Sequence, residues 1–174
     1  LYLWDKVDLL EYPERINRKF LWSGCKSKII SQATEPFAMI DHDFLIFQNI
    51  DEHLDDSVIY TYDEDMESWY IDPRDKFNQQ ITNPIEFIQD RAANVSFLYI
   101  PDPSVAKRYG EQVLQNHIEF TELLGDNIHT GYMTISEQFM LKDWLVKEER
   151  KHKTLSKNLF SCNNIEFKKE TTDI

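Results

Sequence analysis

Two carboxylates, Asp41 and Asp43, interrupt an otherwise apolar stretch of the chain, PFAMIDHDFLIFQ at positions 36–48. In an extended strand, alternation places both carboxylates on one side of the backbone and His42 on the other. At a rise of about 3.3 Å per residue the two groups begin about 7 Å apart, which suits one divalent ion shared with a phosphate or water. The alternative is an Asx-type turn at the end of a strand. The pattern thus predicts either a site for a hard metal ion or a turn.

A second candidate for chemistry is Lys26, which lies in a helix predicted over residues 18–33. On a helical wheel Lys26 falls inside an apolar stripe formed by Trp22, Cys25, Ile29 and Ala33. A lysine on a buried face usually extends its ammonium group to the rim, but it can also reach an anion in a cleft. Because this helix leads directly into the Asp41 stretch, Lys26 could approach the two carboxylates.

The third candidate is Glu137, near the start of a helix predicted over residues 134–153. Thr134 and Glu137 have the spacing of a capping box, in which the glutamate reaches back to the threonine amide. A carboxylate in the first turn of a helix can also face a ligand and take part in acid–base chemistry. The two roles can coexist at a helix N-terminus, and the sequence leaves both open.

The elements that must position these residues are a mixture of strands and helices. The apolar run around Asp41 is typical of a strand buried on both faces in the middle of a largely parallel sheet. Further strands are predicted at 58–62, 94–100, 157–162 and 164–167, and further helices at 84–92 and 104–124. Helix 104–124 has Asp102 or Ser104 available as its N-cap and Gly125 as its C-cap. Residues 63–83 are predicted as a long loop, either an ordinary solvated loop or a lid or pocket beside a site, in which case Trp69 and Tyr70 could stack on a ligand ring.

Composition narrows the possible partners. The 174 residues include 31 acidic and 19 basic side chains, so the formal charge is −12, which argues against nucleic acid and anionic membrane surfaces as main partners. The two cysteines, Cys25 and Cys162, form no disulfide framework, and we therefore predict a reducing, cytoplasmic setting. No apolar run is long enough for a transmembrane helix. Because the chain opens on Leu1 within an apolar stretch, we expect a fragment of a longer protein.

The order of these features resembles the nucleotide-sugar glycosyltransferases of the A-type (GT-A) fold. Over residues 17–145 the chain presents a helix, an Asp-x-Asp strand, a loop, a strand carrying Asn94, an amphipathic helix and a Glu-Gln helix. The resemblance implies a single α/β domain over 1–174, with a Rossmann-related mixed sheet flanked by helices, which could lack its N-terminal strands. It also implies Mn²⁺ or Mg²⁺ as cofactor, held by Asp41 and Asp43, with Asp41 contacting the donor diphosphate through the metal.

The same resemblance assigns roles to five other residues. It places Trp22, Lys26, Asn94 and Gln138 at the nucleotide-sugar donor, although the glycine that usually follows the asparagine is absent here. Glu137 would act on the acceptor hydroxyl as base in inverting members of the family, or orient the sugars in retaining members. The implied partners are a nucleotide-sugar donor and a glycan or another hydroxyl acceptor.

The resemblance implies a metal-dependent enzyme that moves a sugar from a nucleotide-diphosphate sugar to an acceptor hydroxyl. Two other functions are compatible with the same residues. The first is a metal-dependent phosphotransferase or hydrolase built on the same acidic strand end. The second is a non-catalytic binding or assembly domain that keeps the fold without the chemistry.

Overall fold

The computed structural model describes residues 8–44, 46, 49–65, 70–72 and 74–156. The helices in these ranges are α1 (Gly24–Ser31), α2 (Pro103–Leu124), α3 (Thr130–Thr134) and α4 (Met140–Lys147), and the strands are β1 (Phe37–Ile40), β2 (Val58–Asp65), β3 (Arg91–Ile100) and β4 (His152–Thr154). A π-helical stretch, Ile135–Phe139, joins α3 to α4 and is called the π segment below. Short 3-10 turns cover Asp51–His53, Asn78–Gln80 and Gly125–Asn127. The strands predicted at 157–162 and 164–167, and Trp69, lie outside the described residues.

The four strands form one mixed sheet in the order β1-β3-β2-β4. β3 pairs antiparallel with both β1 and β2, whereas β2 and β4 are parallel. The predicted α/β class, with a mixed sheet flanked by helices, is confirmed. The expectation of a largely parallel sheet with the Asp41 strand in its middle is wrong, because β1 lies at the edge of the described sheet.

β1 is also not buried on both faces. Phe37 and Met39 are half-buried and pack against the core, while Ala38 and Ile40 are exposed. Ala38 and Ile40 therefore account for the error, since apolar residues on the exposed face of an edge strand make the sequence look continuously buried. The strand ends at Ile40, so the two carboxylates follow it.

α1 begins later than predicted and buries a different face. The structure starts the helix at Gly24 and buries Gly24, Ser27 and Ile30. Two members of the predicted apolar stripe, Trp22 and Ile29, are 55% and 51% exposed. The reason is the close approach of α2, which small residues on α1 permit and large apolar residues would prevent.

The segment predicted as a helix at 84–92 is irregular and leads into β3. The backbone amides of Glu86, Phe87 and Ile88 donate to the carboxylate of Asp143 at 2.6, 2.9 and 2.8 Å. Phe87 has a positive φ of 53°, which a helix does not contain. The buried Asp143 carboxylate of α4 thus accepts hydrogen bonds from backbone amides that would otherwise belong to a helix.

α2 confirms its prediction closely. It runs from Pro103 to Leu124, the Asp102 carboxylate accepts from the Ser104 amide, and Gly125 follows the helix with a φ of 52°. None of the helices in the described ranges is long and apolar enough to cross a membrane. Most buried apolar residues of the described chain belong to one cluster, which includes Leu98 and Ile100 of β3 and Val113 of α2.

Gly110 fixes how closely α1 and α2 approach each other. A Cβ atom at this position would lie 2.4 Å from the Ser31 amide nitrogen and 2.7 Å from the Ser27 carbonyl oxygen. Both atoms belong to the backbone of α1, so they cannot move without moving the helix. Gly110 therefore sets the position of α1 and of the side chains it carries, Lys26 among them.

We expect Gly110→Ala to destabilise the protein, although alanine is favoured over glycine in a helix by about 1 kcal/mol. The overpacking should outweigh that gain and leave a net loss of about 1–3 kcal/mol in the free energy of unfolding. Urea denaturation measures the difference. Glu111→Ala, at the exposed neighbouring position, should change stability by less than about 0.5 kcal/mol. A Gly110→Ala protein as stable as the wild type would contradict the contact.

Candidate functional site

Lys26, Asp41 and Glu137 meet at one point on the structure, although they are far apart in sequence. The Lys26 ammonium nitrogen lies 2.5 Å from Asp41 Oδ1 and 3.8 Å from Glu137 Oε1. Lys26 comes from α1, Asp41 from the end of β1 and Glu137 from the π segment. The side chains of Lys26 and Asp41 are 27% and 21% exposed, whereas that of Glu137 is 6% exposed. The cluster therefore has a buried end at Glu137 and an end open to solvent.

Asp41 and Asp43 lie in a turn at the tip of β1. The Asp41 amide still donates to the Ser96 carbonyl of β3 at 2.8 Å, and the Phe44 amide donates to the Asp41 carbonyl at 3.0 Å. This second bond closes a β-turn over residues 41–44. Asp43 is exposed. A turn is present, and it leaves the Asp43 carboxylate accessible to a ligand.

Lys26 is cationic because carboxylates surround it. Burial acts to lower the pKa of Lys26, but Glu137, the hydrogen-bonded Asp41 and the nearby Asp43 outweigh it and raise the pKa above its usual value. The prediction that Lys26 approaches the acidic strand end is thus met in the structure. One positive charge faces three acidic groups, so the cluster has an excess of acid that a further cation would offset.

Glu137 is a buried carboxyl group with unused hydrogen-bonding capacity. Burial raises its pKa to about 7; Lys26 acts to lower the pKa, and Asp41 adds to the increase. Within the described part of the chain, Glu137 Oε1 is buried without a hydrogen-bond partner. A carboxyl group that titrates near neutral pH and keeps a free acceptor oxygen can hold or take up a proton at that atom.

The capping-box interpretation of Glu137 is wrong, because the helix begins earlier than Thr134. It starts at Thr130, where the side chain of His129 accepts from the Gly131 amide at 3.3 Å. The Thr134 hydroxyl donates instead to the Gly131 carbonyl. Glu137 therefore lies inside the helix, in the π segment, and such segments occur frequently at functional sites.

A cavity of about 600 Å³ has Trp22, Tyr70 and Thr134 among its lining residues, and Lys26, Asp41 and Glu137 do not line it. Trp22 precedes α1 by two residues, and Thr134 is the last residue of α3. The Tyr70 hydroxyl donates to Gln138 Oε1 at 2.5 Å. Of the residues assigned to the donor by the resemblance, Trp22 thus lines this cavity and Gln138 bonds to a second lining residue, Tyr70.

Asn94 is the predicted site residue for which the structure shows other partners. Its side-chain amide donates to Glu64 Oε2 at 3.4 Å, and its Oδ1 accepts from the Ser96 amide at 3.1 Å. Asn94 therefore acts within β2 and β3. It is linked to Asp41 only through the strand, since the Ser96 carbonyl accepts from the Asp41 amide.

Asp41 and Asp43 are the residues that could contribute ligands to a metal ion, and substrate or water would have to complete the site. No group of three or more histidine, cysteine, aspartate or glutamate side chains in the described ranges could hold a metal ion alone. Magnesium ions, however, are commonly bound by one or two carboxylates together with waters and substrate phosphates. The Asp43 carboxylate and the second oxygen of Asp41 match that kind of ligand set.

The burial of His117 could not be predicted from the sequence pattern. His117 is fully buried in α2, and burial lowers its pKa to about 4 although the Met133 backbone acts against the change. Both ring nitrogens are buried and lack a hydrogen-bond partner among the described residues. The only sequence signal was a polar residue near the apolar stripe of α2, where Val113 and Phe120 are buried.

The pKa of Glu137 predicts a pH dependence of stability. Because the folded-state pKa is raised from 4.5 to about 7, the folded protein binds more protons in this range, and stability falls as pH rises from about 4.5 to about 7. The loss from this group is about 3 kcal/mol. His117 has the opposite effect, since its lowered pKa makes stability rise over about pH 4–6.5.

The Glu137 contribution is therefore measured as a difference between proteins. We expect the stability of Glu137→Gln relative to wild type to increase by about 3 kcal/mol between pH 4.5 and pH 8. Chemical denaturation at several pH values gives this difference. The contribution of His117 to the pH dependence is the same in both proteins, so it cancels in the difference. Glu111→Gln, at an exposed position, should show a flat difference. A flat profile for Glu137→Gln as well would show that Glu137 has an ordinary pKa.

The comparisons with known proteins add no relative to this geometry. The site is thus defined by the contacts among Lys26, Asp41 and Glu137. The resemblance to glycosyltransferases rests on the order of motifs in the sequence. The chain matches no family model, no curated protein and no solved structure.

Proposed function

We propose that this protein is a metal-dependent glycosyltransferase that moves a sugar from a nucleotide-diphosphate sugar to an acceptor hydroxyl. The observation that carries the proposal is the buried Glu137, which keeps an unpartnered carboxylate oxygen 3.8 Å from the Lys26 ammonium. Lys26 in turn contacts Asp41 at the strand end. A proton acceptor, a cation and a pair of metal-binding carboxylates are the groups that this reaction needs.

The donor diphosphate would bind at the open end of the cluster. Asp41 and Asp43 would hold Mn²⁺ or Mg²⁺ there, and the ion would offset the negative charge of the leaving diphosphate. Lys26 would contact the phosphate oxygens on the side opposite the metal ion. Its raised pKa keeps it cationic for this role.

Glu137 would act on the acceptor. The acceptor oxygen forms a bond to the anomeric carbon of the donor sugar, the bond from that carbon to the diphosphate oxygen breaks, and the diphosphate leaves with the electron pair. The proton of the acceptor hydroxyl goes to the Glu137 carboxylate. A pKa of about 7 suits this transfer, because an appreciable fraction of the group is ionised at neutral pH while its basicity is higher than that of an exposed carboxylate.

The cavity lined by Trp22 and Tyr70 would hold the acceptor, which moves Trp22 from the donor role that the resemblance implied to an acceptor role. Its lining includes the rings of Trp22 and Tyr70, and flat aromatic surfaces suit the apolar faces of sugar rings. Trp22 is 55% exposed, so its ring is accessible. A glycan is therefore the acceptor class that this cavity favours.

A phosphotransferase or hydrolase is the second candidate. The exposed Asp43 at the strand tip and the Lys26–Asp41 pair would also suit an enzyme that attacks a phosphate ester. The two enzymes differ in the bond that breaks, carbon–oxygen in sugar transfer and phosphorus–oxygen in phosphate transfer. Mass spectrometry of the acceptor products, with nucleotide sugars and with phosphate esters as donors, separates them, because one enzyme adds a sugar to the acceptor and the other adds a phosphoryl group or only hydrolyses the ester.

Binding of the donor diphosphate gives the first test. In the presence of Mn²⁺ we expect UDP or GDP to raise the melting temperature, because a ligand that binds only the folded state stabilises it. Asp43→Asn should remove the shift. Asp126→Asn, which changes an exposed acid after α2, should preserve the shift. If neither nucleotide shifts the wild type, the donor site is absent from this chain and the binding or assembly role is favoured.

Turnover gives the second test. With a panel of UDP- and GDP-sugars, Mn²⁺ and simple saccharide acceptors, we expect Glu137→Gln to reduce kcat about 10²–10⁴-fold, since it removes the proton acceptor. The wild-type rate should rise with pH around the pKa of about 7 and level off above it. The measurement is glycosylated product by mass spectrometry. Unchanged turnover in Glu137→Gln would remove Glu137 from the reaction.

A further inference from the structure

The fully buried hydroxyl of Tyr109 in α2 contacts the backbone of the residue at the centre of the site. It donates to the carbonyl oxygen of Glu137 at 2.7 Å. Burial, with a contribution from the Glu137 charge, raises the pKa of Tyr109 well above its ordinary value, so the hydroxyl keeps its proton as a donor. A neighbouring helix therefore supplies a hydrogen bond to Glu137 from outside its own helix.

The Glu137 carbonyl lies where the helix ladder is irregular. The Met140 amide lies within hydrogen-bonding range of two carbonyls, those of Ile135 and Glu137, five and three residues earlier. A π turn contains one more residue than an α turn, and this insertion disturbs the regular pairing of carbonyls with amides. The Tyr109 hydroxyl gives the Glu137 carbonyl a partner that does not depend on the ladder. It thus favours the wide turn over a regular α-helix.

The width of this turn decides where the Glu137 carboxylate points. An α-helix turns about 100° per residue, so adding or removing one residue from a turn rotates the side chains before it relative to those after it. α4 is fixed beyond the π segment, because the Lys142 ammonium bonds to Tyr60 and Asp63 at 2.8 Å and Asp143 binds three amides. Relaxation of the π turn would therefore rotate the helix on the Glu137 side.

We propose that Tyr109 is a positioning residue, whose hydroxyl holds the π segment open and so keeps the Glu137 carboxylate beside Lys26 and Asp41. The adjacent Gly110 fixes α1, which carries Lys26. Two consecutive residues of α2 thus position the two partners of the Lys26–Glu137 contact: Tyr109 acts on Glu137, and Gly110 acts on the helix that carries Lys26. The importance of this contact for sugar transfer rests on the proposed function, whereas the contact itself can be tested without any substrate.

The test is a double-mutant cycle on melting temperature at one pH above 7. Lys26→Met and Glu137→Gln are made singly and together, in the wild-type background and in Tyr109→Phe, which removes the hydroxyl and keeps the ring. In the wild-type background we expect the two changes to deviate from additivity by roughly 2–10 °C, since the residues are in contact. In Tyr109→Phe the deviation should disappear.

Tyr132→Phe is the matched control. The Tyr132 side chain is on the neighbouring helix α3, and its hydroxyl donates to Asp75 Oδ2 at 3.2 Å instead of to Glu137. Tyr132→Phe should lower the melting temperature, but the departure from additivity of Lys26→Met and Glu137→Gln should stay the same. The proposal is overturned if the deviation survives Tyr109→Phe, if Tyr132→Phe removes it equally, or if the wild type shows none.

A second measurement covers the case in which Tyr109→Phe does not fold. In the wild-type protein, the Tyr109 hydroxyl proton should exchange slowly with solvent and give a separate NMR signal close to the protons of the π segment. A hydroxyl proton in fast exchange would overturn the proposal. Because neither measurement uses a nucleotide sugar, their failure is distinct from failure of the glycosyltransferase assignment.

Discussion

The buried carboxyl group of Glu137 is the constraint on which the rest of this structure depends. An ionised carboxylate in a protein interior is costly unless a cation or hydrogen-bond donors meet it. Here the group has Lys26 at 3.8 Å and no hydrogen bond to Oε1 from the described residues. The fold must therefore hold Lys26 in place, and Lys26 must also be shared with Asp41. The proposed function would account for a buried acid that is left incompletely satisfied in this way.

The structure meets this constraint with other buried polar contacts that hold the helices. α4 carries Lys142 and Asp143, which are 3% and 4% exposed and which bind different parts of the fold. Lys142 reaches β2, and Asp143 reaches the irregular segment before β3. These charges are fully paired, in contrast to Glu137. Under the proposed function, stability and chemistry would depend on neighbouring charges of the same helical region.

The sequence predicts the long elements well and the contacts between them poorly. α2 follows from its apolar spacing and its caps, and the acids after β1 follow from the interrupted apolar run. The buried face of α1 does not, because it depends on a glycine of α2 about 80 positions away in the chain. The N-cap at His129 could not be predicted either, because the later Thr-x-x-Glu pattern of Thr134 and Glu137 also fits the start of a helix.

The site shows the same division between residue types and geometry. Lys26, Asp41 and Glu137 could each be singled out from sequence, by charge in an apolar context or by resemblance. The approach of Lys26 to Asp41 followed from the order of the elements. The position of Glu137 beside them could not be predicted, because it depends on a π turn that no local sequence rule specifies, and on the hydroxyl of Tyr109. Asn94 was singled out by the order of motifs alone, and its hydrogen bonds hold strands together instead.

The cradle around Asp143 has a consequence for how this fold can vary. Its three donors are main-chain amides, so the side chains of residues 86–88 contribute nothing to the bonds themselves. Substitution there leaves the three hydrogen bonds intact, but Glu86 also pairs with Lys147, and Phe87, in its left-handed backbone, packs its ring against Phe139. We therefore expect a distant homologue to retain the aspartate of α4 more strictly than the amino-acid sequence of the segment 86–88.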